Sequence, residues 1–454
     1  MFNQKNIWAF SALALAAASA MAAVSADEAK KLGTTLTPVG AEMAGNADKS
    51  IPAYTGGLTT VPAGFQKGSG IRPDPFASEK PLYSITGANA AQHESKLSAS
   101  TRELLKRYPT MRVDVFPTQR TAAFPKYVLD NTLKNATSVK TIDGGVGVEG
   151  TYAGIPFPIP KTGNEAMWNH LLRYAGQAWQ AKYDSINVNA SGSAVLATTG
   201  EMTMDYPFYD AKRTGASGDK DIYLRTKVAY TAPARRAGEA LLIQDYINPL
   251  QNARKGWQYL PGQRRVKMSP DLSYDTPNPA TAGTSTFDDG FVFSGALDRF
   301  DWTLVGKKEV LVPYNAYKLS YAKDPYAVTT PNHINPDYLR WELHRVWVVE
   351  GKLKEGKRHI YAKRTFYLDE DSWFALASDQ YDARGQLYRA GFTAFTPAYE
   401  QPAPAATAQF FYDFATGSYN VIGLLGAYPD GVKYINPLPE KQWTPDALAG
   451  AGVR

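Results

Sequence analysis

Between residues 340 and 395 the aromatic and apolar positions fall into four short runs, each closed by a cluster of turn residues. The run 341–349 is dominated by aromatic and β-branched side chains, and 351–356 supplies a polar turn bounded by glycines. Further runs cover 358–368, 373–381 and 386–395, separated by Asp369-Glu370-Asp371-Ser372 and Asp382-Ala383-Arg384-Gly385. This enrichment with regular turn spacing predicts consecutive antiparallel strands of a meandering sheet. A wide sheet with large apolar side chains on one face suggests a surface that holds something greasy.

The pattern continues upstream, with strands predicted near 178–188, 194–204, 221–231, 239–247, 257–260, 264–268, 300–305 and 310–321. A polar stretch over 269–290 interrupts the series. It is long for a loop of a compact domain, and reads as a functional flap or as a connector between halves of the sheet. Helical composition marks 90–108, which ends before Pro109, and 126–136. A third helix is predicted over 165–175, with Asn164 as N-cap, Met167, Leu171 and Leu172 on one side, and Gly176 as its stop. The segment 111–116 alternates like a short strand. Residues 27–90 form an extended Gly/Pro-rich segment that either wraps the domain or hangs as an arm. The tail, 401–454, opens on Pro402 and Pro404, carries Phe410-Phe411-Tyr412, and is predicted to wrap the same domain and close with a helix after Thr444. The main body between them spans 91–400.

The first 26 residues read as a signal peptide. Lys5 precedes an uncharged apolar run over 7–18, and Val24-Ser25-Ala26 fits a cleavage site that would leave Asp27 first. That run is short for a bilayer span, and no later segment reaches eighteen uninterrupted apolar residues, so a soluble periplasmic chain is expected. The sequence has 0 cysteines, so neither a lipid-bearing cysteine nor a disulfide framework is available. The charge balance, 49 Lys plus Arg against 43 Asp plus Glu, is mildly basic. Arg235-Arg236 and Arg264-Arg265 sit at apparent hairpin tips, a solvated surface with weak attraction to anionic head groups and no nucleic-acid partner.

Catalytic patterns are missing. There is no Gly-x-Ser-x-Gly elbow, no phosphate-binding lysine loop and no His-Glu-x-x-His, and no cofactor or metal is expected. Gly145, Gly147 and Gly150 match the letters of a dinucleotide fingerprint. The prolines at 156, 158 and 160 forbid the helix that such a loop must open, and the segment reads as a flexible loop. His344 and His359 are expected on neighbouring strands of one hairpin, without a third ligand beside them. Asp369, Glu370 and Asp371 read as a solvated turn and lack an EF-hand's wider ligand pattern. The aromatic content is the positive signal: it either fills a core or lines a cavity for an apolar ligand. Trp257, Tyr259, Trp302, Trp347 and Trp373 are the candidate cavity wall, and Arg264 and Arg265 a candidate rim where a head group is met. Each methylene moved into such a cavity is worth about 0.8 kcal/mol.

Several motifs carry a family resemblance. Gly154-Ile155-Pro156-Phe157-Pro158-Ile159-Pro160-Lys161 with Met167-Trp168-Asn169-His170 resembles an uncharacterised family of proteobacterial periplasmic proteins. So do Leu36-Thr37-Pro38-Val39-Gly40-Ala41-Glu42, Gly45-Asn46-Ala47-Asp48, Ile51-Pro52-Ala53-Tyr54-Thr55-Gly56-Gly57 and, at the end, Trp443-Thr444-Pro445-Asp446-Ala447-Leu448 with Gly452-Val453-Arg454. That family is described as similar to outer-membrane lipoprotein-sorting proteins of the LolA and LolB type. The scaffold motifs carrying this are Trp257-Gln258-Tyr259-Leu260-Pro261 leading into Arg264-Arg265-Val266, Val305-Gly306-Lys307-Lys308-Glu309-Val310, Tyr367-Leu368-Asp369, and Tyr381-Asp382-Ala383-Arg384-Gly385. The resemblance implies a curved antiparallel half-barrel whose concave apolar face is covered by helices and holds lipid chains. It implies partners of two kinds, an inner-membrane export-type transporter and an outer-membrane barrel protein. It carries over no binding residue.

The expectation is one α+β domain, a large curved antiparallel β-sheet of about ten to twelve strands with helices covering the concave face. Its expected role is that of a non-enzymatic periplasmic carrier of a lipid or other hydrophobic small molecule between membranes. The alternatives are a non-catalytic cell-envelope scaffold and, third, a periplasmic hydrolase.

Overall fold

The computed structural model describes residues 24–218 and 220–451. The signal segment up to residue 23 and the terminal Gly452-Val453-Arg454 lie outside the described residues. Strands β1 (Tyr83–Ile85) and β2 (Val113–Val115) precede a small hairpin of β3 (Lys140–Ile142) and β4 (Gly147–Glu149). The first long run of strands is β5 (Ala178–Val188), β6 (Ala194–Asp205), β7 (Ile222–Ala232), β8 (Ala240–Tyr246), β9 (Lys255–Leu260) and β10 (Arg265–Met268). The second is β11 (Phe300–Pro313), β12 (Trp341–Leu353), β13 (Lys363–Asp369), β14 (Ala375–Tyr381) and β15 (Leu387–Thr393). The tail adds β16 (Gln409–Asp413), β17 (Ser418–Leu424) and β18 (Val432–Tyr434). The helices are short: α1 (Ala26–Ala29), α2 (Ala99–Arg107), α3 (Lys126–Ser138), α4 (Gly163–Leu171), α5 (Tyr317–Ser320) and α6 (Pro445–Ala451).

Sixteen of these strands form one sheet, and β3 and β4 pair separately. Its main path runs β11-β12-β13-β14-β15-β16-β17-β5-β6-β7-β8-β9-β10, antiparallel at every step. Among the described residues β11 and β10 do not pair with each other, so the sheet is open. β2 joins β12 through one parallel bridge, Trp341 to Val115, and β18 pairs with β5. The two sequence runs are joined by the tail: β16 pairs with β15, and β17 pairs with both β16 and β5.

The sheet curls around α4. Seven strands separate β12 from β7 along the path, a distance of roughly 38 Å at about 4.8 Å per strand. Yet α4, a nine-residue helix, packs on β11 and β12 and also sets Trp168 edge-on to Tyr223 of β7, with ring centroids 6.2 Å apart. A helix about 10–12 Å across can touch both only if the sheet bends toward it. Gly163 makes the close approach at one side: a Cβ there would lie 2.5 Å from the Trp302 carbonyl carbon. His170 fixes the other end. Its Nδ1 accepts from the Ala375 N–H at 3.0 Å, leaving Nε2–H to donate to the Phe293 carbonyl at 2.9 Å.

Several expectations are corrected. The strands predicted at 300–305 and 310–321 are the single strand β11, in which Gly306 (φ 129°) absorbs a bulge, followed by α5. The polar Lys307 survives inside it because its amine pairs with Glu42 and Glu370. The 90–108 helix breaks at Ser98, whose hydroxyl caps α2 by accepting from Thr101 N–H. The N-cap of α4 is Thr162, not Asn164. The 144–150 segment is a 3₁₀ turn followed by β4, where a flexible loop was expected: Gly145 is buried in the turn and Gly147 opens the strand, while Gly144 is exposed and Gly150 is half-buried just past it. His344 lies in β12, whereas His359 lies in the loop before β13, so they are not cross-strand neighbours. The Asp369-Glu370-Asp371-Ser372 turn is buried, because residues 37–54 and Arg120 pack over it.

Candidate functional site

Period two along each strand decides what faces the interior. On β5, β7 and β8 this places Trp179, Ala181 and Tyr183; Leu224, Thr226, Val228 and Tyr230; and Leu241, Ile243 and Asp245 on one face. Together with Met202 of β6, Phe411 of β16 and Ile422 of β17, they floor a cavity of about 140 Å³. The roof is the long polar loop, through Asn278, Ala280, Thr281, Ser285, Phe287 and Phe291. The covering element over this part of the sheet is thus a loop with short 3₁₀ turns, where α-helices were expected. A cavity of about this size with apolar walls stays dry and accepts a benzene-sized guest.

The roof is stapled down by buried charge. Arg364 of β13 donates from Nη1 to Asp288 Oδ2 at 2.9 Å and from Nη2 to Asp289 Oδ1 at 2.7 Å. Asp288 is also bonded to His359 Nε2 at 2.9 Å, and Asp289 accepts from Tyr361 O–H at 2.8 Å and from Gln380 at 2.7 Å. Burial alone would raise the Asp288 carboxyl, but the Arg364 charge and the His359 hydrogen bond hold it well below the usual range. Just beyond the staple, Phe291 (φ 54°) and Val292 (φ 71°) occupy the left-handed region, a strained state for a β-branched residue. The polar end of the cavity is internally balanced: Arg254 donates to Asp245 at 2.6 and 3.0 Å and to Ser294 at 2.7 Å.

The residues singled out from sequence lie elsewhere. Trp257 and Tyr259 pack with Trp443 and Leu448 of the C-terminal segment. Arg264 and Arg265 are exposed at the β9–β10 turn. Trp302 sits against Phe293 and Phe366, at ring distances of 5.4 and 5.8 Å. Trp347 stacks on Trp373 at 6.2 Å, and the Trp373 indole N–H donates to the Val39 carbonyl. None of the seven borders the cavity, which is built from strands whose aromatics were not marked.

A second polar cluster lies under the β13–β14 turn. His344, Asp369 and Asp371 bring one ligand atom each within 4.8 Å of one another. Both Asp371 oxygens already accept from Arg120, at 2.8 and 2.6 Å, so a guanidinium takes up the charge that a cation would need. Asp369 Oδ2 accepts from Tyr314 and Ser372, whereas Oδ1 has no partner. Burial first, and then the neighbouring Asp371 charge, push Asp369 up to about 7. A retained proton removes the charge beside Asp371.

Taken together, these features define an open antiparallel-sheet protein with an apolar cavity under a fastened loop. The chain belongs to the family described as "Protein of unknown function (DUF1329)", whose model matches residues 84–449. An uncharacterized protein of Pseudomonas aeruginosa is 41% identical over 452 residues, covering 98% of this chain and 97% of the relative. Among solved structures, a domain from Vibrio parahaemolyticus named for outer membrane lipoprotein sorting is similar at 16% identity and a TM-score of 0.43, covering 63% of this chain and 97% of that one. A DUF1329 family protein from Desulfovibrio piger aligns at 16% identity and a TM-score of 0.40, over 60% of this chain and 92% of the other. A LolA superfamily protein from Nitrosomonas europaea aligns at 13% and 0.38, over 63% and 100%.

Proposed function

We propose that this chain binds a lipid or another hydrophobic small molecule in the cavity between β5–β8 and the 269–294 loop, and carries it through the periplasm. The observation that supports this reading is the apolar cavity itself: the sheet face is covered by a loop that spans it and leaves about 140 Å³ unfilled. The signal-like N-terminal sequence suits that compartment. A guest larger than a benzene-sized group needs the roof to lift, and the roof is a loop with its own fastening. Loading and release would then fall to membrane partners, an inner-membrane export-type transporter and an outer-membrane barrel protein. No step in this role requires a catalytic group.

Organic extraction of the protein purified from its native envelope, followed by mass spectrometry, should yield a defined apolar compound. The variant Val228→Trp, which places an indole in the middle of the cavity floor, should extract empty while keeping its melting temperature within a few degrees. Equal yields from both proteins would refute the cavity as the binding site. A second reading, a non-catalytic envelope scaffold, draws on the packing of Trp302, Trp347 and Trp373 inside the core. It is favoured if the native protein extracts empty.

A further inference from the structure

Arg173, just past α4, is 5% exposed, and no carboxylate pairs with it among the described residues. Each of the other eight buried arginines lies against an Asp or Glu: Arg72 pairs with Glu400, Arg120 with Asp371 and Arg389 with Asp413, for example. A guanidinium has five N–H donors. That of Arg173 makes one hydrogen bond among the described residues, from Nη1 to the His170 carbonyl at 2.7 Å, and its buried Nε is left without a partner. Its faces are covered by Phe291 and Phe374, 5.1 and 4.8 Å from the ring centres, which leaves the in-plane donors unanswered. The nearby hydroxyls of Tyr206, Tyr209 and Tyr223 are held protonated by burial and supply no countercharge. An uncompensated buried charge is strongly unfavourable, and folded proteins pair it.

The missing partner has a place. Arg173 borders a small void of about 20 Å³ that shares Trp179, Phe291 and Thr407 with the apolar cavity. Arg72 also borders this void, but Glu400 neutralises it. One unanswered positive charge therefore stands at the end of an apolar compartment, behind the strained Phe291. Resting on the proposed ligand-binding role, we infer that the cavity takes a monoanionic amphiphile, with its carboxylate on the Arg173 guanidinium and its chain among Trp179, Val228, Leu241 and Phe411. A carboxylate suits the planar fork of arginine and the narrow void better than a bulkier phosphate ester.

Calorimetric titration of the mature chain at pH 8 with octanoate, octanol and octyl phosphate tests this. A charge-assisted hydrogen bond predicts that octanoate binds about ten- to hundredfold more tightly than octanol. Arg173→Met should bring octanoate down to the octanol value and leave octanol unchanged, and Arg173→Lys should restore part of the preference. Should Arg173→Met fail to fold, the wild-type ratio alone decides. Octanol binding as tightly as octanoate would overturn the head-group assignment and leave the carrier reading standing. Octyl phosphate binding more tightly than octanoate would overturn the choice of a carboxylate. Failure of all three probes to bind would overturn the inference and the carrier reading together.

Discussion

Replacing Arg364 by Met removes the staple that holds the cavity roof. Arg364 is fully buried, and its two ion pairs to Asp288 and Asp289 are 2.9 and 2.7 Å long. Methionine fills much of the same space but leaves two carboxylates in the interior. Asp289 keeps its bonds from Tyr361 and Gln380, and Asp288 keeps His359, so the loss is partial. Breaking a buried pair from one side destabilises by about 3–5 kcal/mol. The retained hydrogen bonds argue for the lower half of that range. Because Asp288 and Asp289 belong to the loop, the loss should appear first as local opening. Amide exchange over 275–292 should accelerate by about a hundredfold or more, while β12–β15 exchange at near their original rates. Adding Asp288→Asn and Asp289→Asn should recover part of the loss by removing the orphaned charge. Unchanged exchange in the loop, or a global loss below about 1 kcal/mol, would refute the view that this pair fastens the roof.

Two further outcomes follow from named groups. Asp369 keeps its proton up to about pH 7 in the folded chain but would lose it near pH 4 when unfolded. Folding therefore takes up a proton in that window: this contribution is whole below pH 4 and is lost as pH rises through 7. Asp205, raised to about 6 mainly by burial, acts in the same direction. Buried His170 and His333, whose rings burial keeps neutral to lower pH, act in the opposite sense below about pH 6.5, so the test is a difference. Between pH 4 and 7 wild type should lose on the order of 2–4 kcal/mol relative to Asp369→Asn in denaturant melts, and parallel profiles would remove Asp369 as the cause. Gly163→Ala drives a methyl against the Trp302 backbone, 2.5 Å from its carbonyl carbon, and should cost about 1–3 kcal/mol in the same assay. A neutral result there would show that α4 and β11 can part without strain.

The sheet was legible because aromatic and β-branched runs are separated by turn residues; β5, β6, β8 and β9 appear almost where their patterns placed them. The central β16–β17 hairpin was not, because Pro397, Pro402 and Pro404 made the tail read as irregular. Its signal was present, Phe410-Phe411-Tyr412 and then Val421-Ile422 across a turn at Gly417 (φ 68°). The residues singled out as a cavity wall lie away from this cavity for a different reason. Strands β12–β16 are buried on both faces, so a tryptophan there says nothing about which side holds a ligand. The useful pattern lay in the alternation along β5, β7 and β8, and in the loop whose length set it apart. Asp288, Asp289 and Arg364 could not be matched in advance, since 75 or more residues separate them in sequence.

The most direct test of the hollow is xenon-pressurised crystallography of the mature protein. A xenon site is expected between Val228, Leu241 and Phe411, with no ordered water in the same volume. A cavity that stays free of xenon and holds a hydrogen-bonded water chain would contradict it.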